Sequence, residues 1–354
     1  SYVGGRALSA ASTPQRKQLI LATSTTAVLG ALLVFKYYDF LAPAVFPRLG
    51  IVVAVGLSFY TFSCVSYLAD VYAGRLPAER HLGHFALYVS FFPKLLAGPI
   101  ERAQPFLSQL RKPVVFDSAG VTLGLQLVLW GLFKKVVIAD RLAPFVDSAY
   151  ALPAFTSPAD LVLGTYFFAF QLYCDFSGYS DMAIGAAKVL GIDLAQNFRR
   201  PYFSTSVPEF WAQRWHLSLA GWFRDYMYIP LGGSRGSRLR RYANVLAVFL
   251  VSGLWHGANW TFVVWGGLNG VYQVVSLVTR PIRQRLNDIV PLPPRFGGLL
   301  RGLLTFHLIL ITWVFFRAAS LSDATTVLSR LATALHYLPR LLLVRVADLD
   351  SMIS

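Results

Sequence analysis

Apolar stretches of bilayer-crossing length recur along this chain, and they leave it few ways to fold. Candidate spans lie at 18–35, 50–69, 118–139, 158–175, 243–260, 261–279 and 299–316. About 20 predominantly apolar residues cross the hydrocarbon core as a helix, and in lipid every backbone N–H and C=O must be satisfied within the protein. The expected fold class is therefore all-α, a polytopic membrane protein. Composition agrees: 55% of residues are hydrophobic and 14% charged, against about a quarter charged in a soluble domain. No long polar linker interrupts the chain, so residues 1–354 read as a single integral membrane domain. The sequence opens at Ser1 rather than Met and shows no signal peptide, so a trimmed or partial chain is expected.

A shorter apolar piece at 83–98 contains Pro93, Lys94 and Gly98 and runs into Pro99. Proline breaks the helical ladder, so a re-entrant or interfacial element is expected there. With that placement the charges sort by side. Arg16 and Lys17, Arg75 and Arg80, the segment 102–112, the segment 199–241 and the loop 280–301 fall together, whereas 36–49 and 140–157 lie opposite with few charges of mixed sign. By the positive-inside rule the arginine-rich side is the cytosol. Lys134 and Lys135 interrupt one span, and either they snorkel or that helix ends early. Residues 186–242 mix aromatic and charged residues at helical spacing, which suggests amphipathic helices at the interface.

The net charge of +15 is spread over loops between spans rather than gathered into one stripe, so nucleic acid is not an expected partner and membrane lipid is. Cys64 and Cys174 both lie in apolar surroundings and read as two buried thiols without a disulfide framework. No His, Cys and Asp cluster has ligand spacing, so no metal is expected.

The segment from Val251 to Gly270 is long enough to lie within a bilayer, yet it carries His256 between Trp255 and Gly257. An ionisable side chain in hydrocarbon is a functional-site hypothesis by default. Small neighbours would let a substrate or a second backbone approach the imidazole.

Several further blocks accompany that histidine in a fixed order. They include Gly56-Leu57-Ser58-Phe59-Tyr60-Thr61-Phe62, Phe91-Phe92-Pro93-Lys94-Leu95-Leu96-Ala97-Gly98-Pro99-Ile100, and Asp175-Phe176-Ser177-Gly178-Tyr179-Ser180-Asp181. Asn197-Phe198-Arg199-Arg200-Pro201-Tyr202, Trp215-His216-Leu217-Ser218-Leu219 and Gly253-Leu254-Trp255-His256-Gly257 complete the series. In combination the chain resembles the membrane-bound O-acyltransferase (MBOAT) family, in its bacterial branch typified by alginate O-acetyltransferase. The resemblance covers most of residues 50–320. It implies a multi-helix bundle in the bacterial inner membrane, with re-entrant and interfacial helices around a central tunnel. It also implies transfer of an acyl group, acetyl for this branch, from a cytosolic thioester to a hydroxyl on an exported polysaccharide or a periplasmic partner.

A thioester carbonyl is already electrophilic, so the enzyme chiefly needs a base for the hydroxyl and a way to stabilise an oxyanion. Histidine suits the first task because its ordinary pKa lies near neutrality. On the family pattern His256 is the base, and His216, nearer the cytosolic mouth, orients or polarises the thioester. Trp215, Trp255 and Asn259 are candidates to shape the tunnel or to aim N–H donors at the developing charge. Arg199, Arg200, Arg214 and Arg224 either meet the phosphates of a donor or form an ordinary positive-inside loop. The donor is acetyl-CoA or an acyl carrier, and no permanently bound cofactor is expected. Asp175 and Asp181 read as polar packing, and His81, His84, His307 and His336 as interfacial or structural. Two alternatives stand beside this reading: D-alanyl transfer to teichoic acid from a carrier protein, and a transporter whose histidines relay protons. A transporter is expected to show paired broken helices in two related halves, and the sequence has no such repeat.

Overall fold

The computed structural model describes residues 1–41, 56–113, 115–289 and 293–334. Its elements are helical, with no strand among the described residues. Helix α1 (Tyr2–Ala10) leads into α2, which runs Pro14–Leu41 through a π-helical turn at Leu33–Tyr37. Thr13 starts α2 by accepting the Arg16 amide, with Pro14 in the first turn. Helices α3 (Leu57–Tyr72), α4 (Leu82–Ser90) and α5 (Ala103–Leu110) follow. The piece expected to be re-entrant is broken as its prolines require: α4 stops at Ser90, Phe92–Lys94 makes a single 3₁₀ turn, and turns continue to Gly98. The first residues of the span expected at 50–69 lie outside the described residues, as does His336.

Helix α6 extends Ser118–Ala151 with a π-helical turn at Phe133–Ala139, and it packs on α7 (Pro158–Val189). Ser157 caps α7, accepting from the Asp160 amide at 3.1 Å while donating to the Asp160 carboxylate at 2.7 Å. Between α7 and the next long helix lie short pieces: α8 (Val207–Glu209, continued by a π-helical turn at Phe210–Arg214) and α9 (Leu217–Phe223). Helix α10 (Arg238–His256) and α11 (Trp260–Val278) then form a hairpin, followed by α12 (Arg280–Ile289), α13 (Pro294–Arg317) and a final helical stretch over 321–334.

Helices α2, α6, α11 and α13 are long and apolar enough to cross a membrane. Only 6% of the most apolar window of α2 and 17% of that of α6 are buried inside the protein. Apolar surface left outward on that scale is stable against lipid and not against water. The spans expected at 158–175 and 243–260 fall on α7 and α10, but with different limits. Helix α7 continues to Val189 and carries Asp160, Asp175, Asp181 and Lys188, while α10 opens on Arg238, Arg240 and Arg241 and ends at His256.

Helix α6 does not end at Lys134 and Lys135, and both lysines are paired. Lys134 pairs with Asp181, and Lys135 reaches Asp175 at 2.6 Å and Asp140 at 2.7 Å. The reason lies in how closely α6 and α7 approach. An ideal Cβ on Gly131 would lie 2.5 Å from the Gly178 carbonyl oxygen, and one on Gly178 would lie 2.7 Å from that of Gly131. Gly124 repeats the contact against Gly185 one heptad away. Backbones this close bring the lysines of α6 within reach of the carboxylates of α7. Cys64 and Cys174 are buried and unpaired, as expected.

Candidate active site

Two cavities meet at one pair of side chains. The outer one, of about 820 Å³, is lined by Arg199, Arg214 and Arg224 together with Trp211, Trp215 and His216. The inner one, of about 500 Å³, is lined by Lys36, Trp255, His256 and Trp265 and again by Trp215 and His216. Trp215 and His216 thus form a wall common to both.

His216 is held there by backbone rather than by its own side chain. It is the residue before α9 and adopts a left-handed conformation, φ 47°. The Leu217 amide donates to the Asn197 carbonyl at 3.0 Å, and the Arg199 amide donates to the Arg214 carbonyl at 2.9 Å. These two bonds clamp 197–199 alongside 214–217. Asn197, itself buried, accepts from the Ser218 hydroxyl at 3.0 Å and donates to Ser180 of α7 at 3.3 Å. The imidazole of His216 is 2% exposed, packs edge-on against Phe176 at 4.6 Å, and has no hydrogen-bond partner on either ring nitrogen. Burial, and then the proximity of His256, hold its pKa well below the ordinary histidine value. Both of its ring nitrogens are unspent hydrogen-bonding positions. Unsatisfied buried polar atoms of this kind are uncommon and mark ligand or strain sites.

His256 is the last residue of α10 rather than a mid-span residue, because Gly257 is extended and Asn259 starts the next helix. Its ring is enclosed by Trp255 and Trp265, each 4.9 Å away, and by Phe316 at 5.3 Å. The α10–α11 hairpin closes tightly because Gly253 and Gly266 pack directly against each other, with Cα atoms where a side chain would otherwise stand. The first turn of α3 and the end of α2 complete the chamber. The Trp255 indole N–H donates to the Ser58 carbonyl at 3.4 Å, the Tyr37 hydroxyl to the Leu254 carbonyl at 2.5 Å, and Lys36 to the Trp255 carbonyl. The bonds to Leu254 and Trp255 satisfy carbonyls that the end of α10 leaves open.

The other expected residues divide. Trp215 and Trp255 line the chamber, although the Trp255 N–H is committed to Ser58. Asn259 does not join them: its oxygen accepts from the Thr261 amide as the cap of α11, and its amide donates to the Ala319 carbonyl at 2.9 Å. Arg199 and Arg224 line the outer cavity, Arg224 in an ion pair with Asp225 at 2.8 Å. The Arg200 side chain is exposed and outside both linings; its residue contributes a carbonyl to the Arg214 guanidinium at 3.3 Å and a left-handed turn, φ 45°. Arg214 lines the outer cavity and is tied to Glu209 at 2.7 Å. His307 is structural, bonded to Tyr166 at 2.7 Å and to the Leu303 carbonyl at 2.8 Å, and His81 caps α4.

Residues 24–320 match the profile of MBOAT, the membrane-bound O-acyltransferase family. The chain belongs to this family. This MBOAT protein is 42% identical over 277 residues to a protein of Azotobacter vinelandii named probable alginate O-acetylase, an alignment covering 77% of this chain and 52% of the relative. It is 36% identical over 345 residues to the peptidoglycan O-acetyltransferase of Helicobacter pylori, covering 88% of this chain and 64% of that protein. It is 27% identical over 269 residues to the teichoic acid D-alanyltransferase of Bacillus subtilis, covering 72% and 66%. The chain spans about half the length of the alginate O-acetylases it matches.

Proposed function

We propose that this MBOAT protein is an O-acyltransferase of the bacterial inner membrane, moving an acetyl group from a thioester donor to a hydroxyl on an exported polysaccharide or on a periplasmic partner that completes delivery. The observation that carries this reading is the shared wall. A basic cavity suited to an anionic donor adjoins a mainly aromatic chamber holding His256, and Trp215 and His216 belong to both. The arginine-rich face is the cytosolic one by the positive-inside rule, so acetyl-CoA or an acyl carrier enters there, with Arg199, Arg214 and Arg224 meeting its phosphates. Acetyl is favoured over D-alanyl because the relatives named for O-acetylation are 42% and 36% identical, against 27% for the D-alanyltransferase.

In this reading His256 takes the proton of the acceptor hydroxyl as its oxygen attacks the thioester carbonyl. The carbon–sulfur bond then breaks, and the leaving thiolate takes up the proton. His216, buried and without partners, turns a ring nitrogen to the incoming thioester and orients it at the junction. General-base catalysis of this type is worth about 10²–10⁴ in rate.

The test is labelled acetyl-CoA given to membranes containing the wild-type protein or His256→Ala. Loss of label from the polysaccharide fraction in the variant, at about 10² or more, is the expected result. Undiminished incorporation removes His256 from the mechanism. Flux of solute into sealed vesicles without acyl transfer, unaffected by the substitution, would instead make the protein a transporter.

A further inference from the structure

The lysines of the described helices are not bonded alike. Lys134 pairs with Asp181, Lys135 with Asp175 and Asp140, and Lys188 with Asp193. Lys36 differs. Its ammonium donates to two neutral acceptors, the Ser58 hydroxyl at 3.0 Å and the Trp255 backbone carbonyl, and it lies 5.6 Å from the centroid of the Trp255 ring. Among the described residues no carboxylate forms an ion pair with it.

Sequence hydropathy ends the first span at 35 and leaves Lys36 to a loop. In the structure α2 runs on to Leu41, and Lys36 sits in the π-helical turn Leu33–Tyr37, half-buried in the lining of the inner chamber. Turns of this kind recur at functional sites. A cation set into an apolar helix without a counter-charge is costly, and the bonds to Ser58 and Trp255 fix where the charge stands without neutralising it. An ammonium has three donors, so one remains for a ligand. The chamber it lines holds His256, the residue next in sequence to the carbonyl that anchors it.

We propose that Lys36 is a catalytic residue whose ammonium stabilises the oxyanion formed on the acyl carbonyl. The proposal rests on the reading of the His256 chamber as the site of acyl transfer. As the acceptor oxygen bonds to the carbonyl carbon and its proton passes to His256, the carbonyl electron pair moves onto oxygen beside Lys36. The pair returns as the carbon–sulfur bond breaks, and His256 returns the proton to the thiolate. Lys36 ends the cycle protonated, as it began. A fixed cation in a site shielded from water stabilises such charge more than water does, and it does so only in the transition state.

The experiment follows turnover of acetyl-CoA as free CoA thiol, by the protein in lipid nanodiscs with alginate oligosaccharide as acceptor probe. Wild type is compared with Lys36→Met, Lys36→Arg and His256→Ala. Loss of about 10²–10³ in kcat for Lys36→Met, with KM for acetyl-CoA little changed and substantial recovery in Lys36→Arg, is the expected result. Wild-type kcat in Lys36→Met, or an Arg variant as impaired as the Met variant, overturns the proposal. If Lys36→Met fails to fold, Lys36→Gln decides, since it keeps an N–H donor and drops the charge: loss of kcat supports the role and full activity sinks it. An active His256→Ala protein with an impaired Lys36→Met would instead defeat the base assignment, so the two failures are distinguishable.

Discussion

Arg200 and His216 share a backbone conformation that side chains other than glycine rarely adopt, with φ of 45° and 47°. Each immediately precedes a helical turn, and the segments before them are bonded to one another through the Arg199 amide and Arg214 carbonyl. Left-handed backbone costs an L-residue roughly 1–2 kcal/mol, and such strain clusters at functional sites. At His216 it falls on the wall common to the two cavities.

The strain gives a comparison that separates backbone from imidazole. His216→Ala keeps the φ penalty and loses the ring, whereas His216→Gly loses both. Thermal denaturation in detergent should find the Gly variant about 1 kcal/mol more stable than the Ala variant. Acetyl transfer should be impaired equally in the two. A Gly variant less stable than Ala would mean that φ 47° is not strained in this setting.

Asn197 joins three segments behind His216 and should behave as a positioning residue. Asn197→Ala orphans the Ser218 hydroxyl and Ser180, at a cost of about 1–3 kcal/mol. With His216 free to shift, kcat should fall by about tenfold while donor KM changes less. Stability and kinetics measured on the same preparation check this, and an unchanged kcat in a destabilised protein would leave Asn197 with a purely structural role.

How much of this could be read from the sequence depends on the range of the interactions. Trp215, His216, Trp255 and His256 were legible because each sits in a compact block whose order is characteristic. Asn259 sat in such a block as well, but its position two residues before Thr261 makes it a helix cap, and local capping outcompeted a place in the chamber. Lys36 was hidden by its own charge, since a hydropathy window stops at a lysine whether or not the helix does. Asp140 is local to Lys135, but Asp181 and Asp175, the carboxylates that Lys134 and Lys135 meet on α7, lie about 40 residues or more away, and no local periodicity reports them. No glycine or asparagine marks the left-handed turns at Arg200 and His216, so that strain left no trace in residue type.

The α6–α7 contact should be intolerant of a single methyl group. Gly178→Ala places a Cβ against the Gly131 carbonyl, and overpacking of this kind costs about 1–3 kcal/mol. Separating the helices also pulls Lys134 and Lys135 from their carboxylates. Gly178→Leu should prevent accumulation of folded protein, while Gly30→Ala on α2, where a Cβ meets nothing within 4 Å, should be neutral. Monodispersity by size exclusion and unfolding temperature together test the contrast.

Outside the spans, Glu79 provides a pH-dependent contribution to stability whose sign can be worked out. Burial alone would raise its pKa, but the His81 amide, the Arg111 guanidinium at 2.6 Å and the Arg80 amide at 2.9 Å more than offset this, and the carboxyl ends below its ordinary value. A depressed folded pKa adds stability that is fully present above the unfolded value, about 4.3, and is lost as pH falls through the folded one. Glu79→Gln should therefore lower the unfolding temperature at neutral pH and leave a smaller further drop on acidification than wild type shows. Parallel acid-limb slopes in the two proteins would assign the acid sensitivity to other groups.

The Lys134–Asp181 pair invites a double-mutant cycle, because a buried ion pair and its worth are different things. The lysine side chain is 9% exposed and the carboxylate 24%. Removing one partner leaves the other desolvated and uncompensated, at about 3–5 kcal/mol, whereas replacing both with apolar residues of similar volume is often neutral. Lys134→Met and Asp181→Leu should each destabilise the protein strongly, and the double variant should recover most of the loss. Activity offers an independent reading. Asp175, which lines the inner chamber, is held by Lys135 rather than Lys134, so a refolded double variant should retain acetyl transfer. A stable double variant without activity would place Lys134 and Asp181 in the path of the acceptor instead of in the packing of α6 on α7.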